Sequence, residues 1–141
     1  MNFLRTIADT IFSWVLDANG ESFNVIMNND VLLWHLIALF VITTASVLVF
    51  YYVVAKEVIN ATKKNYLTVF VLGLLVLWLV DYFVISTIID DFSYTWTLNN
   101  FYLSAINSLY YAILYGIISW FAKEGSNAKH ISLWSIIKEL F

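Results

Sequence analysis

The chain has 141 residues, of which 62% are hydrophobic and only 12% are charged, and its net charge is −3. A soluble domain averages about 25% charged residues, and one of this length has too much surface per volume to bury so much apolar area. The composition therefore excludes an ordinary soluble protein and indicates residence in a membrane. The absence of cysteine excludes disulfides, thiolate catalysis and cysteine-ligated metals.

Residues 1–30 are predicted to form an extracytoplasmic segment that consists of an amphipathic helix and a polar connector. Apolar residues recur at helical spacing from Phe3 to Val15, with Asp9 on the opposite side. This pattern is typical of a helix that lies on a membrane surface. A cleaved signal peptide is the alternative, but charges interrupt its apolar region and no small-residue cleavage site follows. Asn19-Gly20 predicts a turn before the connector.

Three later stretches are long enough to cross about 30 Å of hydrocarbon, which takes roughly 20 helical residues. They cover residues 31–55, 66–89 and 99–122. Asn28-Asn29-Asp30 supplies a capping signal for the first span, and this helix is expected to continue past residue 55 as far as Lys64. Asp90-Asp91 closes the second span. The fold class is therefore all-α and integral to the membrane, with a three-helix transmembrane domain over residues 31–122.

Residues 123–141 are predicted to form a second interfacial helix, starting at Ala128. Ile131, Trp134 and Ile137 share one side of this helix, opposite Lys129. We expect the apolar side to rest on the cytoplasmic surface of the bilayer.

The lysines predict the orientation of the chain, because basic residues accumulate in short cytoplasmic loops. Six of the seven basic residues lie between the first two spans or after the third, and Arg5 is the exception. The N-terminus is therefore predicted outside and the C-terminus in the cytoplasm. Lysines near the membrane are also candidates for binding anionic lipid, or a polyanion such as a nucleotide or oligonucleotide. They are Lys56, Lys63, Lys64, Lys123 and Lys129.

Polar side chains form a ribbon along the third span. At about 100° per residue they fall on one side of the helix, where lipid would leave their hydrogen-bonding groups unsatisfied. The ribbon either lines a water-filled path shared by several subunits or packs against other helices. Small residues at four-residue spacing, Ser108, Ala112 and Gly116, favour packing. The members of the ribbon are Asn100, Ser104, Asn107, Ser108, Tyr111, Tyr115 and Ser119.

Two ionisable residues lie within the predicted spans. Asp81 is about eight residues inside the second span, at a depth where a charge is costly. A hydrogen bond to Asn107 or Tyr111 is one interpretation, and a proton relay or cation site is the other. His35, about one turn inside the first span, is interpreted as a hydrogen-bonded residue, because no second ligand at metal spacing accompanies it.

The motifs that the sequence has and lacks limit the possible classes of function. The sequence has no nucleophile–base pair, paired carboxylates, Gly-rich phosphate loop or metal constellation, so we expect neither an enzyme nor a cofactor or metal. A homo-oligomeric ion channel or pore is the first class, because several copies under cyclic symmetry could enclose a path. A membrane anchor or assembly subunit is the second. A proton-linked transporter that uses Asp81 is the third.

In the layout of its spans from Val31 to Ala122, the chain resembles small multipass effectors of bacterial anti-phage defence, and it is somewhat similar to phage holins. The resemblance implies a protein of the bacterial inner membrane that depolarises the membrane when a cytosolic signal releases it. It also implies toxicity on activation, tight gating at rest and a partner protein that senses infection. Holins usually end in a highly charged tail, whereas this tail is predicted to be an apolar-faced helix, so a holin is less favoured.

Overall fold

A computed structural model of the chain describes residues 2–15, 30–88 and 98–140, and all regular elements in these ranges are helical. Five helices are present: α1 (Asn2–Phe12), α2 (Val31–Val49), α3 (Lys63–Leu79), α4 (Leu98–Ala122) and α5 (Leu133–Leu140). A π turn, Phe50–Val54, extends α2, and a second π turn, Val80–Val84, leads from α3 into a last α-helical segment, Ile85–Ile88. Short 3-10 turns cover Ser13–Val15, Val58–Asn60 and Lys123–Gly125.

Three of these helices are long and apolar enough to cross a membrane, which confirms the prediction of a multi-pass membrane protein. The candidate spans run over Val31–Val54, Lys63–Val84 and Asn99–Gly125. Only 17% of the most apolar part of the α3 span is buried inside the chain. Most of its leucine and valine side chains therefore face outward, as lipid-contacting side chains do.

The boundary between the first two spans differs from the sequence prediction. The first span ends at Val54, where the π turn closes with a bond from the Ala55 N–H to the Phe50 carbonyl (2.8 Å). The expected continuation of this helix to Lys64 is wrong, because Lys63 and Lys64 open α3 instead. The Thr62 hydroxyl accepts a hydrogen bond from the Asn65 N–H (3.2 Å). This contact is an N-cap, and it fixes the start of α3 three residues before the predicted position.

The C-terminal helix begins at Leu133, so its predicted start at Ala128 is also wrong. Ser132 Oγ accepts a hydrogen bond from the Ser135 N–H (3.2 Å), and Ser135 Oγ accepts one from the Ser132 N–H (3.0 Å). This reciprocal pair satisfies two backbone donors at the helix start and sets the boundary. Ile131 is buried whereas Trp134 is exposed, so the predicted apolar side is divided between protein and surface.

The other predicted boundaries either agree with the structure or lie outside the described residues. α1 and α4 occupy the predicted positions. Asp30 has a left-handed backbone (φ 54°), which aspartate tolerates better than most residues, and its carboxylate pairs with Arg5 (2.9 Å). The predicted turn at Asn19-Gly20, the rest of the connector up to residue 29 and the Asp90-Asp91 pair lie outside the described residues.

The chain divides into two compact units. Unit 1 comprises residues 1–40 and 76–110, and unit 2 comprises residues 41–75 and 111–141. The sequence of unit 1 holds seven of the ten acidic residues and Arg5, whereas unit 2 holds all six lysines and three glutamates. The two units therefore carry net charges of opposite sign.

Unit 1 has an apolar core in which α1 takes part. Ala8 and Phe12 of α1 are fully buried, whereas Phe3 is 75% exposed and Trp14 is 65% exposed. α1 thus uses one part of its apolar surface within the protein and leaves another part facing outward. The buried partners of α1 come from α2, from the segment after the second π turn and from α4: Val31, Leu32, Leu36, Ile85, Leu103 and Ile106.

Unit 2 is packed around aromatic side chains. The rings of Phe50, Tyr66 and Tyr115 meet edge to face, with centroids 5.1 Å apart for Phe50–Tyr66 and 5.2 Å for Tyr66–Tyr115, an arrangement that aromatic pairs prefer. Gly73 lets α3 approach two hydroxyl groups closely, those of Tyr111 and Ser46. The packing of unit 2 therefore depends on a position without a side chain.

Gly73→Ala is expected to destabilise unit 2 by about 1–3 kcal/mol, the usual cost of forcing extra atoms into a packed interior. The added methyl group would overlap with the hydroxyls of Tyr111 and Ser46. Thermal unfolding of the purified protein in detergent measures the effect. Gly116→Ala is the matched control, since its methyl would meet the movable end of the Leu133 side chain. An unchanged unfolding temperature for Gly73→Ala would contradict the close packing.

Candidate functional site

The candidate site is a cluster of three polar side chains inside unit 1. His35 lies in the second turn of α2, which begins with a hydrogen bond from the Trp34 N–H to the Asp30 carbonyl (3.1 Å). Asn107 lies within α4. Both side chains are fully buried, so each must find its hydrogen-bond partners within the protein.

Asp81 is the third member, and it lies in the π turn Val80–Val84. The N–H of Ile85 bonds to the carbonyl of Val80, so the turn contains one residue more than an α-helical turn. Such single π turns are frequent at functional sites, where they change the direction of a side chain. A chain without proline can thus still interrupt a span, and the interruption here falls at the acidic residue.

The three side chains form a connected hydrogen-bond network. His35 Nδ1 lies 3.0 Å from Asp81 Oδ1, and both side chains are at most 1% exposed. Asn107 Nδ2 lies 3.2 Å from Asp81 Oδ2 and 3.4 Å from Asp81 Oδ1. The carboxyl group of Asp81 can therefore accept hydrogen bonds from two donors. The pair with His35 is an ion pair whenever the imidazole is protonated.

α1 covers this network. The Phe12 ring lies against the rings of His35 and Tyr110, with centroid distances of 6.0 and 5.6 Å. The Tyr110 hydroxyl donates to the Ile11 carbonyl, and Trp14 Nε1 donates to the same carbonyl (2.8 Å) and to the Tyr110 hydroxyl (3.1 Å). An apolar ring thus separates the pair from the surroundings, and two hydrogen bonds hold the end of α1 in place.

The polar ribbon of α4 is mostly buried within the chain. Asn100, Ser104 and Asn107 are buried in unit 1, Tyr111, Tyr115 and Ser119 are buried in unit 2, and Ser108 is half-buried. In unit 2, the Tyr111 hydroxyl donates to the Phe70 carbonyl (2.8 Å) and the Tyr66 hydroxyl donates to Ser119 Oγ (2.9 Å). In unit 2 the chain's own helices therefore supply hydrogen-bond partners for the ribbon. Whether the ribbon lines a path between subunits or only packs against other helices stays a prediction.

The lysines singled out from the sequence all belong to unit 2. Lys56, Lys64 and Lys129 are exposed. Lys63 forms an ion pair with Glu139 of α5, and Lys123 Nζ lies 3.5 Å from the centre of the Trp120 ring. Contact of these lysines with an anionic ligand or a lipid headgroup stays a prediction.

Sequence reasoning identified Asp81 and its hydrogen bond to Asn107 but missed the pairing of Asp81 with His35. The alternative partner, Tyr111, bonds to the Phe70 carbonyl instead. The depth of the two residues could have indicated the missing pair. Counted from the end of each span that is predicted to face outside, the depths of His35 and Asp81 differ by about one helical turn. A side chain of either type reaches across that difference. An acid and a histidine at similar depth in consecutive spans can therefore be used to predict that the two side chains pair.

Comparison with known proteins adds no further constraint. No protein-family model, curated protein or solved structure matches this chain. The functional argument therefore depends on the geometry of the residues themselves.

Phe12→Ala is expected to release α1 from unit 1, because truncating a buried phenylalanine typically costs about 3–5 kcal/mol. A single cysteine introduced at buried Ala8 reports the release, since the chain has no other thiol. We expect Phe12→Ala to raise the rate at which a maleimide labels Ala8→Cys by about 100-fold or more. Phe3→Ala, at an exposed position of the same helix, should leave the rate unchanged. Equal rates in both variants would show that Phe12 does not hold α1 in place.

Proposed function

We propose that this protein conducts a proton or another small cation across a membrane, and that the ion meets His35, Asp81 and Asn107 on its way. The observation that supports the proposal is the fully buried, hydrogen-bonded acid and histidine within helices long enough to span a bilayer. Ionisable side chains at such positions are rare, and they usually mark ion or proton pathways.

Stability is a poor explanation for the pair. Removing two charges from water costs several kcal/mol per ion, and well-packed apolar residues often replace a buried ion pair without loss of stability. A chain that needed only a packed interior at this depth could use leucine and phenylalanine, which it has in abundance. The presence of His35 and Asp81 therefore favours a role that requires charge or proton exchange.

The chemistry of the pair suits a mobile proton. A proton can lie on the imidazole, which leaves an ion pair, or on the carboxylate, which leaves two neutral groups. Asn107 keeps a donor directed at the carboxylate in either state. Because the site is buried, electrostatic interactions within it are stronger than in water. A proton arriving at or leaving the pair would therefore change the forces between α2, the π turn and α4.

The oligomeric pore predicted from the sequence enters this proposal in a modified form. The α4 ribbon contacts the helices of its own chain, so a ring of subunits would have to be held together by the exposed apolar surfaces. Exposed apolar residues spaced by four or eight positions on α4 provide such a surface: Phe101, Leu109, Ile113 and Ile117. Several copies of the chain could then pack side by side in a ring, and each copy would keep its own buried site.

We further propose that the lysine-bearing segments of unit 2 face the cytoplasm. The separation of six lysines from seven acidic residues supports this orientation, which places the N-terminus outside. The cytoplasmic lysines would contact anionic lipid or a polyanionic gating ligand. The resemblance to anti-phage effectors gives a cellular context, in which a cytosolic sensor protein opens the channel and the bacterial inner membrane depolarises.

Asp81→Asn is expected to lower proton flux into liposomes by about tenfold or more, because it removes the charge from hydrogen bonds worth roughly 1.5–3 kcal/mol. The substitution keeps the shape of the side chain, so folding should be preserved. Flux is followed with a pH-sensitive dye trapped inside liposomes under an imposed pH gradient and membrane potential.

Thr87→Val is the matched control, because Thr87 is an exposed residue near the π turn whose hydroxyl donates to the Phe83 carbonyl four residues earlier (2.9 Å). Its flux should equal that of the parent. Folded parent protein that passes no protons or cations under any gradient would refute conduction and favour the membrane anchor. Equal flux in the parent and Asp81→Asn would remove the site from the pathway.

A further inference from the structure

The amide of Asn107 has an unusual environment. Its Nδ2 atom lies near three oxygens at once: Asp81 Oδ2 at 3.2 Å, Asp81 Oδ1 at 3.4 Å and the backbone carbonyl of His35 at 3.4 Å. A typical N–H···O bond is about 2.9–3.0 Å long. One amide nitrogen therefore makes three long contacts where one or two short ones would be stronger.

The other side of this amide lacks a partner among the described residues. Asn107 Oδ1 is buried without a hydrogen bond there, and so is Ser104 Oγ, one turn away on the same face of α4. A buried oxygen without a partner costs free energy, and in native proteins it often indicates a bound water or ion. The two oxygens lie on the α4 face from which Asn107 contacts Asp81.

A half-turn of the Asn107 amide exchanges its nitrogen and oxygen, which have nearly the same shape. The amide oxygen would then face the two carboxylate oxygens of Asp81 and the His35 carbonyl at 3.2–3.4 Å. Oxygens at this spacing are neighbouring ligands of a cation that holds each of them at about 2.3–2.4 Å. The turned amide oxygen would thus lie at ligand spacing from each of the other three oxygens.

We infer that Asp81, Asn107 and the His35 carbonyl form a sodium site, an inference that rests on the proposed function and names its cation. Charge selects a monovalent ion, because one carboxylate balances one positive charge and a divalent ion would leave an uncompensated charge in an apolar interior. Calcium also requires six to eight oxygens, and magnesium a strict octahedron. The short oxygen spacing selects sodium over the larger potassium ion.

Thermal unfolding of the full-length protein in detergent tests the site directly. Sodium chloride should raise the unfolding temperature in a saturable way by mass action, whereas potassium chloride and choline chloride at equal ionic strength should not. Asn107→Leu should weaken sodium binding by about tenfold or more, which corresponds to roughly 1.4 kcal/mol. Ser108→Ala is the control on the next residue, because its hydroxyl bonds to the Ser104 carbonyl (2.9 Å); it should bind sodium as the parent does.

Equal unfolding temperatures in the three salts would overturn the proposal, and so would a sodium effect that Asn107→Leu retains in full. Proton flux that persists without any sodium effect would reject the sodium site and leave the proposed function standing.

Discussion

The buried carboxyl group of Asp81 is the constraint around which unit 1 is arranged. A carboxylate within an apolar span has to be balanced and hydrogen-bonded, and each described element of the unit contributes to that task. α2 supplies the imidazole of His35, α4 supplies the Asn107 amide, and the π turn brings the carboxylate to both. α1 then places Phe12 over the imidazole.

α1 connects this site to the surroundings of the protein. Its buried residues, Ala8 and Phe12, belong to the core of unit 1, whereas Phe3 and Trp14 face outward. In a membrane, the outward residues would rest at the lipid boundary, as tryptophan commonly does. A change in the bilayer or in a partner that altered the position of α1 would therefore act on the Phe12 ring and, through it, on His35.

Composition and apolar runs predicted the helical class and the three spans because lipid-compatible segments carry a strong signal over about 20 residues. The helix starts that depend on single side chains were not predicted correctly, although Thr62 and Ser132 are recognisable capping residues. The contact between His35 and Asp81 could not be derived, because it depends on how the helices are rotated and on an extra residue in a π turn. Neither property leaves a periodic pattern in the sequence.

Unit 2 shows how the same chain packs polar groups when no charge is required. Its buried hydroxyls donate to a carbonyl and to another hydroxyl, in Tyr111–Phe70 and Tyr66–Ser119, and these neutral contacts avoid the cost of burying an ion. Part of the α4 ribbon has such neutral hydrogen-bond partners, whereas Asn107 contacts the carboxyl group of Asp81. Since neutral groups suffice for packing in unit 2, the buried acid and histidine of unit 1 are the feature that supports the proposed exchange of a proton or cation.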